Sequence, residues 1–260
     1  MAYDAVQLRD LMTGHRKVYA QYHDLMLRNI REGGGQADQG TREYLQRGVG
    51  RRLNVIQYSL ARIYDLLPPS QTRPLPKLTL SEVQICLHAF VMNVSGIFDC
   101  WAWAFVLRHG LLKQVGGAMK VGMFLAKTQL FLPPALKTYV TTDPIKSWHI
   151  DYLKTYRDAL AHRIPLYVPP SEFTDADAQR YRELEDECAQ WLLRGNPAEA
   201  ERVMDEQEQL GRACLFFYQE LTSDPTSKPV WIHPQLNSDA AAVLEFGNKF
   251  YDHWHLSSTP

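Results

Sequence analysis

The chain has 260 residues with 28 basic and 29 acidic side chains, a formal charge of -1, so no global basic field exists to hold long nucleic acid by charge alone. Hydrophobic residues make up 45% of it, enough to build a sizeable core in one large domain or two small ones. Cys86, Cys100, Cys188 and Cys214 form no CxxC pair and no zinc spacing, which points to free thiols in a reducing cytosol.

Helical periodicity dominates the chain. The start, Met1-Ala2-Tyr3-Asp4, has no basic region leading into an apolar stretch, so no signal peptide is expected. A first helix is predicted from Asp4 to about Arg31, ended by Gly33-Gly34-Gly35. A second runs from about Thr41 to Leu67 and stops at Pro68-Pro69. It carries one basic cluster, Arg47, Arg51 and Arg52. Thr79-Leu80-Ser81-Glu82 reads as a capping box opening a third helix that reaches about His109, before Gly110. That helix is apolar nearly all round and is expected at the centre of the core. Its most apolar part, Ile85 to Leu107, contains His88, Asn93, Asp99 and Cys100, which a bilayer would disfavour.

Residues 110–142, rich in glycine and proline, are expected to form a loop-rich excursion with short helical turns. Asp143-Pro144 then opens a helix, with the aspartate as N-cap and proline at the first position. Trp148, Tyr152, Tyr156 and Leu160 form its inward stripe, and it ends near Arg163 because Pro165 follows. An extended strap covers 166–170. Two amphipathic helices are read at Phe173–Gly195 and Pro197–Leu221, an extended stretch at Lys228–Leu236, and a last helix from Ser238 to about His253. Ser257 to Pro260 reads as a frayed tail.

The chemistry concentrates at Arg157-Asp158-Ala159-Leu160-Ala161-His162-Arg163. A guanidinium can hold a phosphate bidentately and stabilise charge in a transition state, and an imidazole can move a proton. Arg157 and His162 are five apart and point roughly 140° from one another on a straight helix, so a second element or subunit has to bring them together. Asp158 and His162 are i, i+4 and share a face, so Asp158 could orient the ring. The same three residues have a purely structural reading, as partners of the helix's last carbonyls and its dipole. Asp99, inside the apolar run, requires a cationic or hydrogen-bonding partner, with Arg157 or Arg163 as candidates. It either helps build a site, together with Asn93, or latches the central helix to the Arg157 helix. The aromatic stripes at helical spacing read as core, although such rings can also stack on bases. No phosphate-binding glycine loop is present, and His253 and His255 are a weak metal signal.

At Arg157-Asp158-Ala159-Leu160-Ala161-His162 the chain resembles the HEPN superfamily (higher eukaryotes and prokaryotes nucleotide-binding helical bundles). The family motif is Arg-x4-6-His near the end of a core helix, usually with a polar residue after the arginine, here Asp158. The preceding apolar helix with an internal acidic residue, Val91 to Phe105 with Asp99, fits the family layout. The longer pattern from Phe98 to Trp103 and from Arg157 to Pro170 looks like a bacterial branch of that group. The resemblance covers about Arg42 to Pro170. It implies a metal-independent endoribonuclease in which the arginines and histidines of two subunits meet across a two-fold axis and a ribose 2′-hydroxyl attacks the adjacent phosphate. The balanced charge departs from the more basic surface usual for a ribonuclease.

These readings predict an all-α protein, a HEPN-like antiparallel helical bundle. They give one domain over 1–260, with a core at 42–170 and helical extensions at 1–35 and 171–260. The expected function is RNA cleavage of toxin or defence type, with Arg157, His162 and Asp158 as catalytic residues. Asp99, Asn93 and Arg163 support or bind. The alternative is a non-catalytic bundle that binds a nucleotide or a partner, its Arg/Asp/His cluster being structural. Expected partners are RNA or a nucleotide, a second copy of the chain, and a protein antitoxin or regulator. A cytoplasmic location is expected, with no membrane, no metal and no cofactor.

Overall fold

A computed structural model describes residues 2–219 and 229–257. Helix α1 (Ala5–Gly34) starts at a capping box in which Asp4 accepts the amides of Val6 and Gln7 while the Gln7 side chain accepts the amide of Asp4. Gly33 and Gly34 continue the helix, and Gly35 caps it with right-handed backbone, so the chain turns one glycine later than the triplet suggests. Helix α2 (Gln39–Glu43) is capped by Asp38 and passes through a wide π-helical turn, Tyr44–Val49, into α3 (Gly50–Leu66).

Helix α4 (Lys77–Arg108) begins two residues before the expected capping box, with Pro76 at the N-cap and no side-chain cap. The box does not form: Thr79 already lies inside the helix, and Glu82 accepts from Arg62 on α3 at 3.1 Å. At the far end, Gly110 at φ +63° lets its own amide and that of Leu111 reach back to the Leu107 and Val106 carbonyls. By length and composition α4 could cross a membrane, but most of its apolar positions, among them Phe90, Ile97, Trp101 and Phe105, are buried against its neighbours.

The excursion after α4 holds α5 (Ala126–Gln129), α6 (Pro134–Thr141) and α7 (Ile145–Ser147). A second π-helical turn, Trp148–Leu153, runs into α8 (Lys154–His162). Asp143 does accept the Ser147 amide, but from outside the first turn, and Pro144 takes the N-cap position. Helices α9 (Asp175–Leu193) and α10 (Pro197–Glu208) form a hairpin, pinned by Arg180 to Glu206 at 2.6 Å.

Helix α10 stops at Glu208, well short of the expected run to Leu221, and a two-residue strand β1 (Phe216–Phe217) follows. It pairs antiparallel with β2 (Val230–Trp231), Phe216 opposite Trp231. Helix α11 (Ile232–His253) starts six residues before the expected Ser238 and takes Pro234 into its first turn, where no backbone donor is missed. The readings at Leu221 and Lys228, and the tail from Ser258 to Pro260, fall outside the described residues.

The described residues are mostly helical, with the two-stranded ladder as a minor part. One continuous core runs through α1, α3, α4, α8 and α11, so the terminal helices α1 and α11 contribute to the same core as the middle of the chain. Gly247 lets α11 approach closely: a Cβ there would lie 2.8 Å from Leu25 and 3.0 Å from Trp101. A buried polar chain ties these elements. Trp101 donates to the Tyr251 hydroxyl at 3.2 Å, Tyr251 donates to Asn29, and Asn29 donates to the Leu45 carbonyl at 3.0 Å.

Candidate functional site

Helix α8 ends at His162 because Arg163 is extended ahead of Ile164-Pro165. Its outer side carries Lys154, Arg157 and Asp158. Asp158 accepts from Lys154 at 2.8 Å, one turn earlier, and lies 3.2 Å from the Arg157 guanidinium. Lys154, then Arg157, hold its carboxyl below the usual carboxylate range. The expected Asp158–His162 contact is not formed, since a full positive charge one turn before competes better for the carboxylate than an imidazole one turn after. His162 and Arg163 are exposed, and the His162 ring makes no hydrogen bond among the described residues.

Arg157 instead opens into a groove of about 730 Å3 between α4, the excursion and α8. Asp99 faces it from α4, and Lys146, His149 and Lys154 from the segment leading into α8. Val121, Phe124, Leu125 and Ile150 supply an apolar wall. Asp99 therefore shares a groove with Arg157, but the expected pairing with Arg157 or Arg163 is not formed, as no ion pair within 4 Å reaches it among the described residues. Its edge is open to solvent, while the groove walls desolvate the carboxyl and push it above the usual range. Arg157, Arg52 and the Met123 amide pull the other way. Gly122 packs against it, where a Cβ would lie 3.2 Å from Oδ1.

His149 gave no signal in the sequence beyond its place beside the Trp148 stripe. It stacks on Phe124 with ring centres 3.6 Å apart and 11° between planes. Burial, then Lys154 and Arg157, push its imidazole down to about 4, so it is neutral at physiological pH.

Asn93 sits outside the groove. Its amide donates to the Ala89 carbonyl at 2.7 Å and its oxygen accepts from Arg52 at 3.2 Å. Arg52 lies flat over Gly96, where a Cβ would meet the guanidinium at 2.5 Å. The basic cluster of Arg47, Arg51 and Arg52 thus splays apart. Arg47 pairs with Glu43 at 3.4 Å, Arg51 is exposed, and Arg52 crosses to α4. Arg163 does not line the groove.

Behind the groove helix lies a carboxylate that the sequence did not flag. Asp239 on α11 is 1% exposed and accepts from the Trp148 indole at 2.8 Å, the Tyr152 hydroxyl at 2.9 Å and the Gln235 amide at 2.8 Å. Burial pushes its carboxyl up to about 6, against the pull of those three donors. It anchors the inner face of the segment whose outer face forms the groove. Its sequence context, Ser238-Asp239-Ala240-Ala241, looks like an ordinary helix start, and its aromatic partners Trp148 and Tyr152 lie 91 and 87 positions away.

Among the described residues no cluster of three or more His, Cys, Asp or Glu is placed to hold a metal. No protein-family model, curated protein or solved structure matches the chain.

Proposed function

We propose that the chain is a HEPN-like RNA-cleaving protein whose Arg157 groove holds the phosphate. The observation that carries this reading is the convergence of Arg157, Lys154 and Lys146 on one groove beside Asp99. Three cations around a partly dry cleft favour a phosphodiester over a neutral ligand. The ribose 2′-hydroxyl gives its proton to His162 and attacks the adjacent phosphorus, the P–O5′ bond breaks to leave a 2′,3′-cyclic phosphate and a 5′-hydroxyl that takes up a proton, and Arg157 stabilises the charge that builds on the phosphoryl oxygens. Because His162 points away from Arg157 on the same helix, the pair is completed by a second copy, each motif appearing twice around the two-fold axis. A toxin or defence role, with a protein antitoxin or regulator, belongs to this reading.

One observation favours a second reading: His162 does not line the groove that Arg157 opens into. On that reading the groove binds a nucleotide phosphate without turnover.

The test is incubation of the chain with a single-stranded RNA oligonucleotide in excess chelator, with the oligomeric state measured in parallel by sedimentation. Cleavage to 2′,3′-cyclic ends, lost in Arg157→Ala and His162→Ala while both remain folded, is expected for the nuclease. Binding without cleavage, weakened by Arg157→Ala and untouched by His162→Ala, selects the second reading. Cleavage that persists in His162→Ala overturns the first.

A further inference from the structure

A second cleft, of about 650 Å3, lies between the first three turns of α4, the strap 166–173 and the α9–α10 hairpin. It is independent of the Arg157 groove and shares no lining residue with it. The hairpin packs chiefly on itself, and the strap before it is tied to the segment after it by backbone bridges from Tyr167 to Tyr218 and from Glu172 to Arg212. The cleft is therefore a seam between two packed units, a common place for a ligand site, and its volume suits a small molecule rather than a partner helix.

Its walls are apolar: Leu80 and Ile85 on one side, Val168 and Phe173 on the strap, Tyr181 and Met204 on the hairpin. Ile85 stands 67% and Met204 44% exposed. Four of the polar side chains inside already have partners. His88 bonds the Leu166 carbonyl, Gln84 accepts the Val168 amide, Ser81 donates to Lys77, and Gln207 donates to the Tyr181 carbonyl. Two charges remain, Lys77 and Glu208, both exposed and neither in an ion pair within 4 Å among the described residues.

The two ends are not equivalent. Around Lys77 the amides of Lys77, Leu78 and Thr79 have no backbone acceptor among the described residues, and no side chain caps them. Around Glu208 two of the last four carbonyls of α10 are already taken, those of Glu206 and Gln207 by the amides of Gln209 and Leu210. The cleft thus has an apolar body, with Lys77 and the uncapped start of α4 at one end and Glu208 at the other.

We propose that this cleft binds a small amphipathic carboxylate, its apolar tail between α4 and the hairpin and its carboxylate at Lys77. The test is calorimetric titration of the full chain with dodecanoate below its micelle concentration, with dodecylammonium as the probe of opposite charge. Dodecanoate is expected to bind saturably, one per chain, and better than dodecylammonium. Lys77→Met should weaken it about tenfold, the scale of one charge-assisted contact, and Glu208→Gln should not weaken it. Ile85→Trp should abolish binding by filling the cleft from an exposed position, with helicity unchanged by circular dichroism. Absence of saturable binding up to about 1 mM overturns the proposal, as does undiminished binding in Ile85→Trp or stronger binding of dodecylammonium. A shift from dimer to monomer in Ile85→Trp also overturns it, and assigns the cleft to a second copy of the chain.

Discussion

The segment from Trp148 to His162 has two faces built from similar groups in opposite environments. Its outer face sets Lys154 and Arg157 on an open groove, with Asp158 beside them, where the Lys154 hydrogen bond and the nearby Arg157 charge keep the Asp158 carboxyl low. Its inner face presses Trp148 and Tyr152 onto Asp239, where exclusion of water holds the same functional group up near 6. Solvent access, more than residue type, decides which carboxylate fixes the architecture and which is free to meet a ligand. The inner face fixes the helix; the outer face is left to bind.

The largest effect that separates the faces is expected at Asp239. Asp239→Ala leaves the Trp148 indole, the Tyr152 hydroxyl and the Gln235 amide without their acceptor in a dry site, at a cost of about 3–4 kcal/mol. Denaturant unfolding at neutral pH measures it, and a loss below about 1 kcal/mol would erase the distinction between the faces.

The next effect is a pH dependence of about 2–3 kcal/mol. Because the Asp239 carboxyl is raised from 3.8 to about 6, the folded state holds its proton more tightly than the unfolded state. The stability it contributes is fully present below about pH 4 and is lost as the pH rises through about 6. Asp239→Asn keeps an acceptor for the surrounding donors and cannot ionise. Relative to this variant the parent chain should lose stability between about pH 4 and pH 7, and parallel curves would show that Asp239 does not titrate there.

How legible these features are in the sequence follows from their range. The central helix α4 is readable because its apolar run and the Gly110 stop are local signals. The inward stripe of Trp148, Tyr152 and Tyr156 is readable for the same reason. The capping box at Thr79 misleads because the helix starts earlier, at Lys77, and the fold offers Glu82 a partner on α3, Arg62. The strand pair leaves no alternation to detect, since each strand has two residues. In the candidate site, Arg157 and Asp99 are singled out by a motif and by a charge in an apolar run. His149 and Asp239 are not, because their environment is made by residues distant in sequence.

On the outer face, Arg157→Ala and His162→Ala should each change stability by less than about 1 kcal/mol, as partly or fully exposed groups do. A loss of several kcal/mol in Arg157→Ala would mean that Arg157 latches α8 to Asp99, and would move it from the binding face to the architectural one. Thermal unfolding of the variants decides between these outcomes.

The smallest effect is expected at Asp158. Its pairs with Lys154 and Arg157 are solvent-facing and screened, so Asp158→Asn should cost no more than about 0.5 kcal/mol. The sign of its pH dependence is opposite to that of Asp239. A carboxyl held low contributes stability above the ordinary carboxylate pKa and loses it as the pH falls through the depressed value. The gap between parent and variant should therefore close in acid, and also at neutral pH in high salt, where surface pairs are screened. If it survives salt, Asp158 is better shielded than its exposure implies, and the contrast with Asp239 becomes one of degree. If it vanishes, Arg157 is held by a contact weak enough for a phosphate to displace.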